Sequence, residues 1–581
     1  MANLIELAKK NAGELLLRAY EAAAEAGELP GGAVLAGTVE IPKDLSNGDF
    51  AANHAMTGAR MLHMPPRKIA ETLTRYCATG GSFFRSVEVA GPGFINFRLS
   101  ERWYRAVLDA VRDEGADYGH TADGSGKSVM VEFVSANPTG PMHLGNARGG
   151  VLGDALASVL SYAGWRVSRE FYVNDAGNQI EKFASSIDAR YQELLLGDAA
   201  PAFPEDGYHG DDIIALAKEF LAEQGDGWLE KPEGERHAAM AEFGLKRNIP
   251  KMQADLRRYG IEYDRWFLES ELHESGFVKD SVDRLTRLGY TYEKDGALWL
   301  KTAELIGNRL KQEGKSDEAI AKLDLKDDVL RRSNGFYTYF AADIAYHRNK
   351  LETRGFDKAI NIWGADHHGH IARLKGALDA LGLDGEHRLD IVLMQLVKLM
   401  RDGVPVRMSK RTGKAISLDD LLDEVPVDAA RYFFNSRPES PVEFDLDLAV
   451  RQDSENPVYY VQYAHARICT LIAALRELGH TAEEAAEADP ALLTTFEELE
   501  VVKQLAALPE EIRQAAKDYD PSRVNRYVTE LATRFHKFYT VCRIKDAEPG
   551  VLEARLRLCC AVRQVLEIGL SIIGVSAPER M

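Results

Sequence analysis

The sequence predicts an α/β protein with a Rossmann-like parallel-sheet domain, preceded by a small α+β domain and followed by an all-α domain. First, an apolar, β-branched run over Val129–Val134 leads through a Pro/Gly turn into a small-residue helical pattern over 147–160, as at the start of an open α/β sheet. Second, another strand, turn and helix start occupy 165–179, which gives the β-α-β crossover of a parallel sheet. Third, the pattern from about residue 425 onward is almost wholly helical, with no strong strand signal.

The chain has 581 residues, too many for one hydrophobic core, and shifts in composition predict three domains. The first spans 1–120, where helical patterns precede a hairpin around Gly91-Pro92-Gly93. The second spans 121–425 and has an insertion near 190–245, because Pro, Gly, Asp and Glu dominate 197–227 before the sheet pattern resumes at Lys358–Trp363. The third spans 426–581.

Composition excludes several classes of protein. Hydrophobic residues make up 45% and charged residues 28% of the chain, which is ordinary for a soluble globular protein. No run approaches the roughly 18 apolar residues of a membrane span, and the first residues lack the apolar segment of a signal peptide. The five cysteines are scattered without a Cys-x-x-Cys pair. We therefore expect a cytoplasmic protein with free thiols and no membrane partner, and we assign no metal ligands.

The net charge of −19 argues on its own against a nucleic-acid partner. Its distribution weakens that argument, because basic residues outnumber acidic ones over Lys398–Lys414 and again over Arg513–Arg563. An acidic protein with such local basic stripes can still bind a polyanion there.

Polar side chains follow the first strand of the predicted sheet, at the point where the chain passes into the helix. They are Ser135, Asn137, Thr139 and His143. Ligands of open α/β sheets bind at the carboxyl ends of the strands, where helix N-termini present free N–H groups. The sequence therefore predicts a phosphate-bearing ligand at this crossing.

A second polar motif, Arg407-Met408-Ser409-Lys410-Arg411, lies much later in the chain between Gly403 and Gly413. Adenylate formation from ATP needs donors and cations where negative charge accumulates on the α-phosphate and pyrophosphate. His143 and the amides of a helix start can supply one side, and a closing loop that bears Lys410 can supply the other. Alone, such a His is usually a cap and such a loop is usually solvated; together they favour nucleotide chemistry.

Both motifs resemble signatures of the class I aminoacyl-tRNA synthetases. His143-Leu144-Gly145-Asn146 resembles His-Ile-Gly-His with Asn146 in place of the last His, and Arg407–Arg411 resembles Lys-Met-Ser-Lys-Ser with Arg407 in place of the first Lys. Longer strings resemble the arginyl-tRNA synthetases in particular, and these are Ser135–Pro141, Tyr172–Gln179, Gly364–Gly369, Asp428–Arg431 and Ser576–Met581. The resemblance extends over essentially the whole chain.

The resemblance implies an ATP-dependent ligase that activates L-arginine to arginyl-adenylate and transfers it to the 3′ end of tRNA(Arg). It also implies a monomer, a tRNA-contacting role for 1–120, a catalytic role for 121–425 and an anticodon-binding role for 426–581. The implied catalytic residues are His143 and Lys410. The implied ATP-binding residues are His143, Gly145, Asn146, Asp366, His367, Met408, Ser409 and Lys410. Because Asn146 brings no charge, we expect Lys410, Arg411 and Mg²⁺ to balance more of the phosphate charge.

By the same resemblance, the arginine pocket consists of Glu132, Ser135, Asn137, His143, Tyr339 and Asp343. A planar guanidinium with five donors is best matched by carboxylates in a fork, and Glu132 and Asp343 supply them. Tyr339 and Asp343 are four residues apart, which places both on one face of a helix. Without the resemblance, Asp343 would be interpreted as an exposed helix carboxylate.

Two segments are candidates for tRNA contact, and each has a structural alternative. Phe94 and Asn96 could recognise an unstacked base, or they could be a core phenylalanine and a turn-bonding asparagine. In the helical domain, basic and aromatic residues interleave in a pattern suited to phosphates and bases, or to a solvated face above an ordinary core. The implied basic contacts in that stripe are Arg523, Arg526, Arg534 and Lys537.

Two other functions remain possible on the residues alone. Asp366-His367-His368, with His370 close by, also matches a signature of metal-dependent phosphoesterases, but the further Asp and His clusters of a two-metal site are missing. A non-catalytic tRNA-binding relative is the other alternative, against which His143 and Lys410 both argue.

Overall fold

The structure is a computed structural model that describes residues 3–32, 34–365, 368–406, 416–436 and 442–581. The predicted fold class is confirmed, with a parallel-sheet domain between an α+β unit and a helical region. Within the described residues, no helix combines the length and apolarity that a membrane span requires.

The N-terminal unit packs helices on a four-stranded antiparallel sheet of order β1-β2-β4-β3. Its helices are α1 (Leu4–Glu25), α2 (His54–Leu62), α3 (Pro66–Tyr76) and α4 (Glu101–Glu114), and its strands are β1 (Val39–Glu40), β2 (Phe50–Ala52), β3 (Phe84–Ala90) and β4 (Phe94–Leu99). The predicted hairpin is β3 and β4. The sequence pattern around Phe50–Leu62 predicts one helical stretch; in the structure its first residues, Phe50–Ala52, form a strand because they pair with β4.

The central domain is built on a five-stranded parallel sheet of order β12-β11-β5-β6-β7. Its strands are β5 (Ser128–Glu132), β6 (Arg166–Val173), β7 (Arg265–Leu268), β11 (Lys358–Gly364) and β12 (Leu389–Met394). Every residue of β5 is buried, and helices cover the faces of such sheets, which is why strand sequences there are continuously apolar. The edge strand β7 was not predicted, because its four residues lie among polar ones.

Helices and a small antiparallel sheet surround this core. The helices are α5 (Leu144–Tyr162), α6 (Asn178–Leu196), α7 (Asp211–Gln224), α8 (Glu233–Arg258), α9 (Glu269–Glu274), α10 (Phe277–Arg287), α11 (Thr302–Gln312), α12 (Asp317–Ala321), α13 (Tyr339–Arg348), α14 (His368–Ala380), α15 (Gly385–Arg388) and α16 (Leu418–Glu424). The antiparallel sheet, which was not predicted, consists of β8 (Thr291–Lys294), β9 (Ala297–Leu300) and β10 (Asp328–Arg331). Helices α6, α7 and α8 share a hydrophobic cluster of their own, in the region of the expected insertion.

The C-terminal region is mainly helical, with helices α17 (Val427–Asn435), α18 (Leu446–Ala449), α19 (Pro457–Glu477), α20 (Ala482–Ala485), α21 (Phe496–Asp518), α22 (Ser522–Val541) and α23 (Val551–Ile572). One strand lies where only helix was expected. β15 (Val442–Asp445) pairs in parallel with β13 (Val397–Arg401), which also pairs with β14 (Val404–Val406). The four residues of β15 are too few to give a strand signal and depend on this pairing.

Arg431 joins the helical region to the central domain. Its side chain is fully buried, and its guanidinium donates to the carboxylate of Asp154 in α5 and to the backbone oxygens of Tyr259, Gly260 and Ile573. These partners lie in α5, after α8 and at the end of α23. Because a buried guanidinium must have partners for its donors, this residue fixes the relative positions of three elements around the sheet.

Candidate active site

The turn after β5 is strained. Val134 and Ser135 have φ values of 69° and 43°, and the N–H of Ser135 donates to the carbonyl of Phe133 at 3.0 Å. A hydrogen bond of this span around a residue with positive φ is a rare γ-turn, and β-branched Val134 is costly there. Such strain concentrates at functional sites, where the surrounding structure enforces it. The turn presents the hydroxyl of Ser135, which bridges Glu132 and the N–H of Tyr172 on β6.

Helix α5 lies unusually close to β5 and its turn. A Cβ on Gly153 would lie 2.1 Å from the ring of Phe133, and one on Gly150 would lie 2.7 Å from Ile261. Side chains at these positions would lift the helix from the sheet. The small residues noted in the sequence therefore hold the N-terminus of α5, with His143 as its N-cap residue, directly over the strand ends.

A cavity of about 630 Å³ opens at these strand ends. It is lined by five of the six predicted arginine-binding residues and by Gly145 and Asn146 of the predicted ATP site. Those residues are Glu132, Ser135, His143, Gly145, Asn146, Tyr339 and Asp343. Tyr339 is 47% exposed and lies over Gly177 at the start of α6. The predicted amino-acid and nucleotide sites thus share one cavity.

Asn137 does not line this cavity. It lines a neighbouring cavity of about 760 Å³, together with Thr139, His209, Lys251 and residues of α7 and α16. Ser135, His143 and Asn146 line both cavities, so the two cavities adjoin at the strand ends.

The two predicted guanidinium ligands differ in their partners. One oxygen of Glu132 accepts from Lys350 Nζ at 2.5 Å and the other accepts from Ser135 Oγ at 2.9 Å. Asp343 lies 2.6 Å from His370 Nε2 and 3.1 Å from His347 Nδ1. Burial raises the pKa of Asp343, but the charges and hydrogen bonds of His347 and His370 outweigh it and hold this pKa well below its ordinary value. The carboxyl group of Asp343 is therefore negatively charged and can pair with a cationic ligand.

The structure adds a third carboxylate, Glu269, that sequence analysis missed. Glu269 is the first residue of α9, is buried, and lines the same cavity. Burial, followed by the charge of Glu269 and a hydrogen bond to it, raises the pKa of Tyr172 well above its ordinary value. The string Glu269-Ser270-Glu271 resembles an ordinary solvated helix start, so no pattern distinguished it.

The chain just before α16 pairs with the first signature motif. Met142–His143 pairs with Ser417–Leu418, through an isolated antiparallel bridge between His143 and Ser417 and a 2.9 Å hydrogen bond from Leu418 N to Met142 O. Ser417 is the residue before α16. Asp366, His367 and the motif Arg407–Arg411, with Met408, Ser409 and Lys410, lie outside the described residues. Across the parts of the chain that are described, no group of three or more His, Cys, Asp and Glu could hold a metal ion.

The predicted tRNA contacts in α22 are all paired with carboxylates. Arg523 contacts Glu511 and Asp518, Arg526 contacts Asp520, Arg534 contacts Glu500 and Glu530, and Lys537 contacts Glu497. In the N-terminal unit, Phe94 is 39% exposed whereas Asn96 is only 3% exposed. The exposed ring can therefore meet a partner, whereas the side chain of Asn96 is buried within β4.

An aromatic surface between α19 and α22 combines His536 and Tyr539 of the predicted basic and aromatic stripe with residues of α19 that sequence analysis did not single out. The rings of Tyr459 and Tyr463 are stacked at 6.1 Å, and Tyr463 stacks at 6.1 Å on His536. The guanidinium of Arg467 lies 4.9 Å from the ring of Tyr463 and 4.8 Å from that of Tyr539. We call these five residues the aromatic ladder. Stacked rings beside a cation form the kind of platform on which unpaired bases bind.

Comparisons with known proteins agree along the whole chain. Three family models match: the arginyl tRNA synthetase N terminal domain over 16–99, the catalytic domain of tRNA synthetases class I (R) over 109–443, and the DALR anticodon binding domain over 461–581. The arginine–tRNA ligase of Caldanaerobacter subterraneus subsp. tengcongensis is 54% identical over 582 residues, with both chains covered completely. That of Acetivibrio thermocellus is 47% identical over 582 residues, again with complete coverage.

The fold agrees as well. The solved structure of Thermus thermophilus arginyl-tRNA synthetase matches with a TM-score of 0.71 and 22% identity, covering 99% of this chain and 100% of that one. The family models, the full-length relatives and the site at the strand ends lead to one conclusion: the chain belongs to the arginyl-tRNA synthetase family.

Proposed function

We propose that this protein joins L-arginine to the 3′ end of tRNA(Arg) in two steps. A carboxylate oxygen of arginine attacks the α-phosphorus of ATP, and pyrophosphate leaves. A ribose hydroxyl of the terminal nucleotide then attacks the carbonyl carbon of the adenylate, and AMP leaves. The observation that best supports this proposal is the single cavity in which buried carboxylates face the N-terminus of α5.

Arginine binds with its guanidinium toward Glu132 and Asp343, with Glu269 in the same cavity and Tyr339 at its mouth. Contacts with His347 and His370 keep Asp343 anionic, and charge-assisted hydrogen bonds to a planar guanidinium are strong. We also assign Asn137 to arginine, because the cavity that it lines shares Ser135 and His143 with this one.

ATP binds at the start of α5, where His143, Gly145 and Asn146 line the cavity and the helix N-terminus favours phosphate. The bridge between His143 and Ser417 supports this assignment, because Ser417 follows the second signature motif in the chain. We assign Lys410, with Met408 and Ser409, to the phosphates, and Asp366 and His367 to the nucleotide. Mg²⁺ prefers phosphate oxygens and water, and the described residues build no cage for it, so we expect it to enter with ATP.

The tRNA is held by the helical region and by Phe94. In the helical region the aromatic ladder offers stacking surface, and Arg526 and Lys537 are the most exposed of the four basic residues of α22. We further propose that the protein acts as a monomer in the cytoplasm, which sedimentation of the purified protein with and without tRNA will test for the oligomeric state.

The decisive experiment is aminoacylation of total tRNA with each labelled amino acid. Charging with arginine alone is expected, and charging with lysine or glutamine instead would refute the assignment of arginine as the substrate.

ATP–pyrophosphate exchange, measured with and without tRNA, tests the role of the motif Arg407–Arg411. Lys410→Ala should lose exchange, whereas Lys414→Ala, in the same segment, should retain it. Unchanged exchange in Lys410→Ala would refute the role of this lysine.

A further inference from the structure

The two carboxylates Glu132 and Asp343 lie on different elements but are joined by a continuous buried chain of hydrogen bonds. Glu132 ends β5, and Asp343 lies in α13. Between them stand Lys350, Asn361 and His347, which are 0%, 1% and 1% exposed. Sequence analysis singled out none of these three residues.

Each link in this chain has a defined donor and acceptor. Lys350 Nζ donates to Glu132 Oε2 at 2.5 Å and to Asn361 Oδ1 at 3.1 Å. Asn361 Nδ2 lies 2.8 Å from His347 Nε2, and His347 Nδ1 lies 2.9 Å from the backbone oxygen of Asp343. Because Nδ1 faces only oxygens of Asp343, it bears the proton, while Nε2 accepts from the amide. Asn361 therefore selects the tautomer that donates toward Asp343.

The backbone is arranged to form this chain. Asn361 on β11 is the register partner of Glu132 on β5, so the amide and the carboxylate are neighbours across the sheet. Lys350 lies in a π-helical turn, Asn349–Thr353, that continues α13. Such turns are rare and occur often at functional sites. This turn directs a lysine inward, where its Nζ lies 4.0 Å from the ring of Tyr346.

A buried ion pair is poorly explained by stability alone. Desolvating an ammonium and a carboxylate costs about as much as their attraction returns, and apolar residues of similar volume often stabilise equally well. A lysine whose charge lies against the wall of a ligand cavity is better explained by what it does to Glu132. Its ammonium balances that carboxylate before any substrate arrives and leaves acceptor sites on both carboxylate oxygens, because each can accept two hydrogen bonds.

We propose that Lys350, Asn361 and His347 are positioning residues that fix the spacing and the acceptor geometry of Glu132 and Asp343, and thereby determine specificity for a guanidinium side chain. With Glu132 already paired with an ammonium, it supplies directed acceptors, and Asp343, which contacts His347 and His370, supplies the second carboxylate. A planar guanidinium can donate directed hydrogen bonds to both carboxylates, whereas an ammonium, which acts as a point charge, gains little from the directed acceptors. This inference rests on the proposed function, since it assigns residues behind the arginine pocket.

The first test is Lys350→Met, which removes the ammonium and nearly preserves its volume. The KM for arginine should rise about tenfold or more, as expected when a charge-assisted hydrogen bond is lost, while the KM values for ATP and tRNA stay within about twofold. Preference for arginine over lysine and ornithine should also fall. A folded variant with an unchanged arginine KM and unchanged preference would overturn the proposal.

A second pair of variants remains informative even where Lys350→Met folds poorly. His347→Gln can still donate to Asp343 and accept from Asn361, so its arginine KM should lie near that of the parent protein. His347→Leu breaks the chain and should raise the arginine KM about tenfold. Equal effects of the two changes would contradict a positioning role, because a merely space-filling residue cannot distinguish them.

Arg354→Met is the matched control. Arg354 pairs with fully buried Glu170 on β6, and neither residue lines the cavity. This variant should lower thermal stability without raising the arginine KM; an equal rise in KM would show that any lost buried pair has this effect.

Charging of tRNA by the parent protein distinguishes failure of the proposed function from failure of the positioning chain. If it does not charge tRNA with arginine, the proposed function fails, whereas a charging parent with insensitive variants refutes only the positioning chain.

Discussion

The side-chain oxygen of Asn146 accepts a hydrogen bond from the backbone N–H of His143 at 2.9 Å. Asn146 is the third residue of α5 and His143 is its N-cap residue, so this bond satisfies the N–H that a capping box would satisfy. The change from the signature's last His to Asn thus retains a structural role that an amide performs well. What it removes is a side chain that could be cationic beside the phosphates.

This relationship predicts that capping and catalysis can be separated at position 146. Asn146→Asp retains the acceptor and adds a charge that suits a helix N-terminus, so its thermal stability should match or exceed that of the parent. Adenylate formation should nevertheless slow about tenfold or more, because the carboxylate repels the phosphates. Asn146→Ala, the control, should lose about 1 kcal/mol of stability. An Asn146→Asp enzyme with the parent's exchange rate would contradict the placement of ATP.

Asp343→Asn should weaken arginine binding strongly and ATP binding little. The change removes the negative charge of Asp343 while leaving the shape of the pocket, and the loss of a buried charge-assisted contact corresponds to an arginine KM about 100-fold higher. Asp280→Asn is the control, because Asp280 pairs with Arg348 on the outer part of α13 and not with the cavity. Steady-state exchange kinetics measure both effects. Equal arginine KM values in the parent and Asp343→Asn would rule out a guanidinium contact there.

The aromatic ladder predicts a selective loss of tRNA affinity. Tyr463→Ala removes the ring between Tyr459 and His536, and stacking of one base is typically worth about 1–3 kcal/mol. The KM for tRNA should therefore rise about tenfold or more, with arginine-dependent kinetics at saturating tRNA unchanged. Tyr463→Phe preserves the ring and should behave like the parent. If both variants bind tRNA normally in filter-binding assays, the ladder is not a base platform.

The parts of the fold and site that follow regular patterns could be predicted from the sequence, and the parts that depend on tertiary packing could not. The strands β5 and β11 were predictable because buried parallel strands are mainly apolar, and the four-residue spacing of Tyr339 and Asp343 indicated a shared helical face. Glu269 and Lys350 have no such signal, since each is an ordinary surface residue type that tertiary packing buries. Asn137 was assigned to the arginine pocket by family resemblance, and that assignment stays a prediction, because Asn137 lines the cavity next to the carboxylates.

Arg431 predicts a large effect on stability. Arg431→Met would leave the carbonyls of Tyr259, Gly260 and Ile573 without this donor and Asp154 with Arg169 as its remaining basic partner. Removing one partner of a buried charged network costs about 3 kcal/mol or more. Arg523→Met, which breaks a partly exposed pair with Glu511, should cost less than about 1 kcal/mol. Denaturant unfolding compares the two, and similar losses would contradict a joining role for Arg431.

The contact between α8 and α16 predicts a pH-dependent stability. Asp255 in α8 is partly buried beside Asp419 in α16, and burial together with the charge of Asp419 raises the pKa of Asp255 to about 6, although Lys251 and Arg258 act in the opposite direction. Both cations also contact Asp419. Since α16 begins one residue after Ser417, which pairs with His143, this contact lies close to the chain that borders the first signature motif.

The sign of the effect follows from the raised pKa. A carboxyl group that holds its proton more tightly when folded contributes stability below the unfolded pKa of about 3.9, and that contribution is lost as the pH rises through about 6. Asp255→Asn should therefore resemble the parent near pH 4 and be more stable near pH 7.5, by about 1 kcal/mol after solvent screening. Thermal unfolding of both proteins across this range measures the difference. A variant that is less stable than the parent at pH 7.5 would show that the Asp255 carboxylate stabilises the contact, contrary to the repulsion inferred from Asp419.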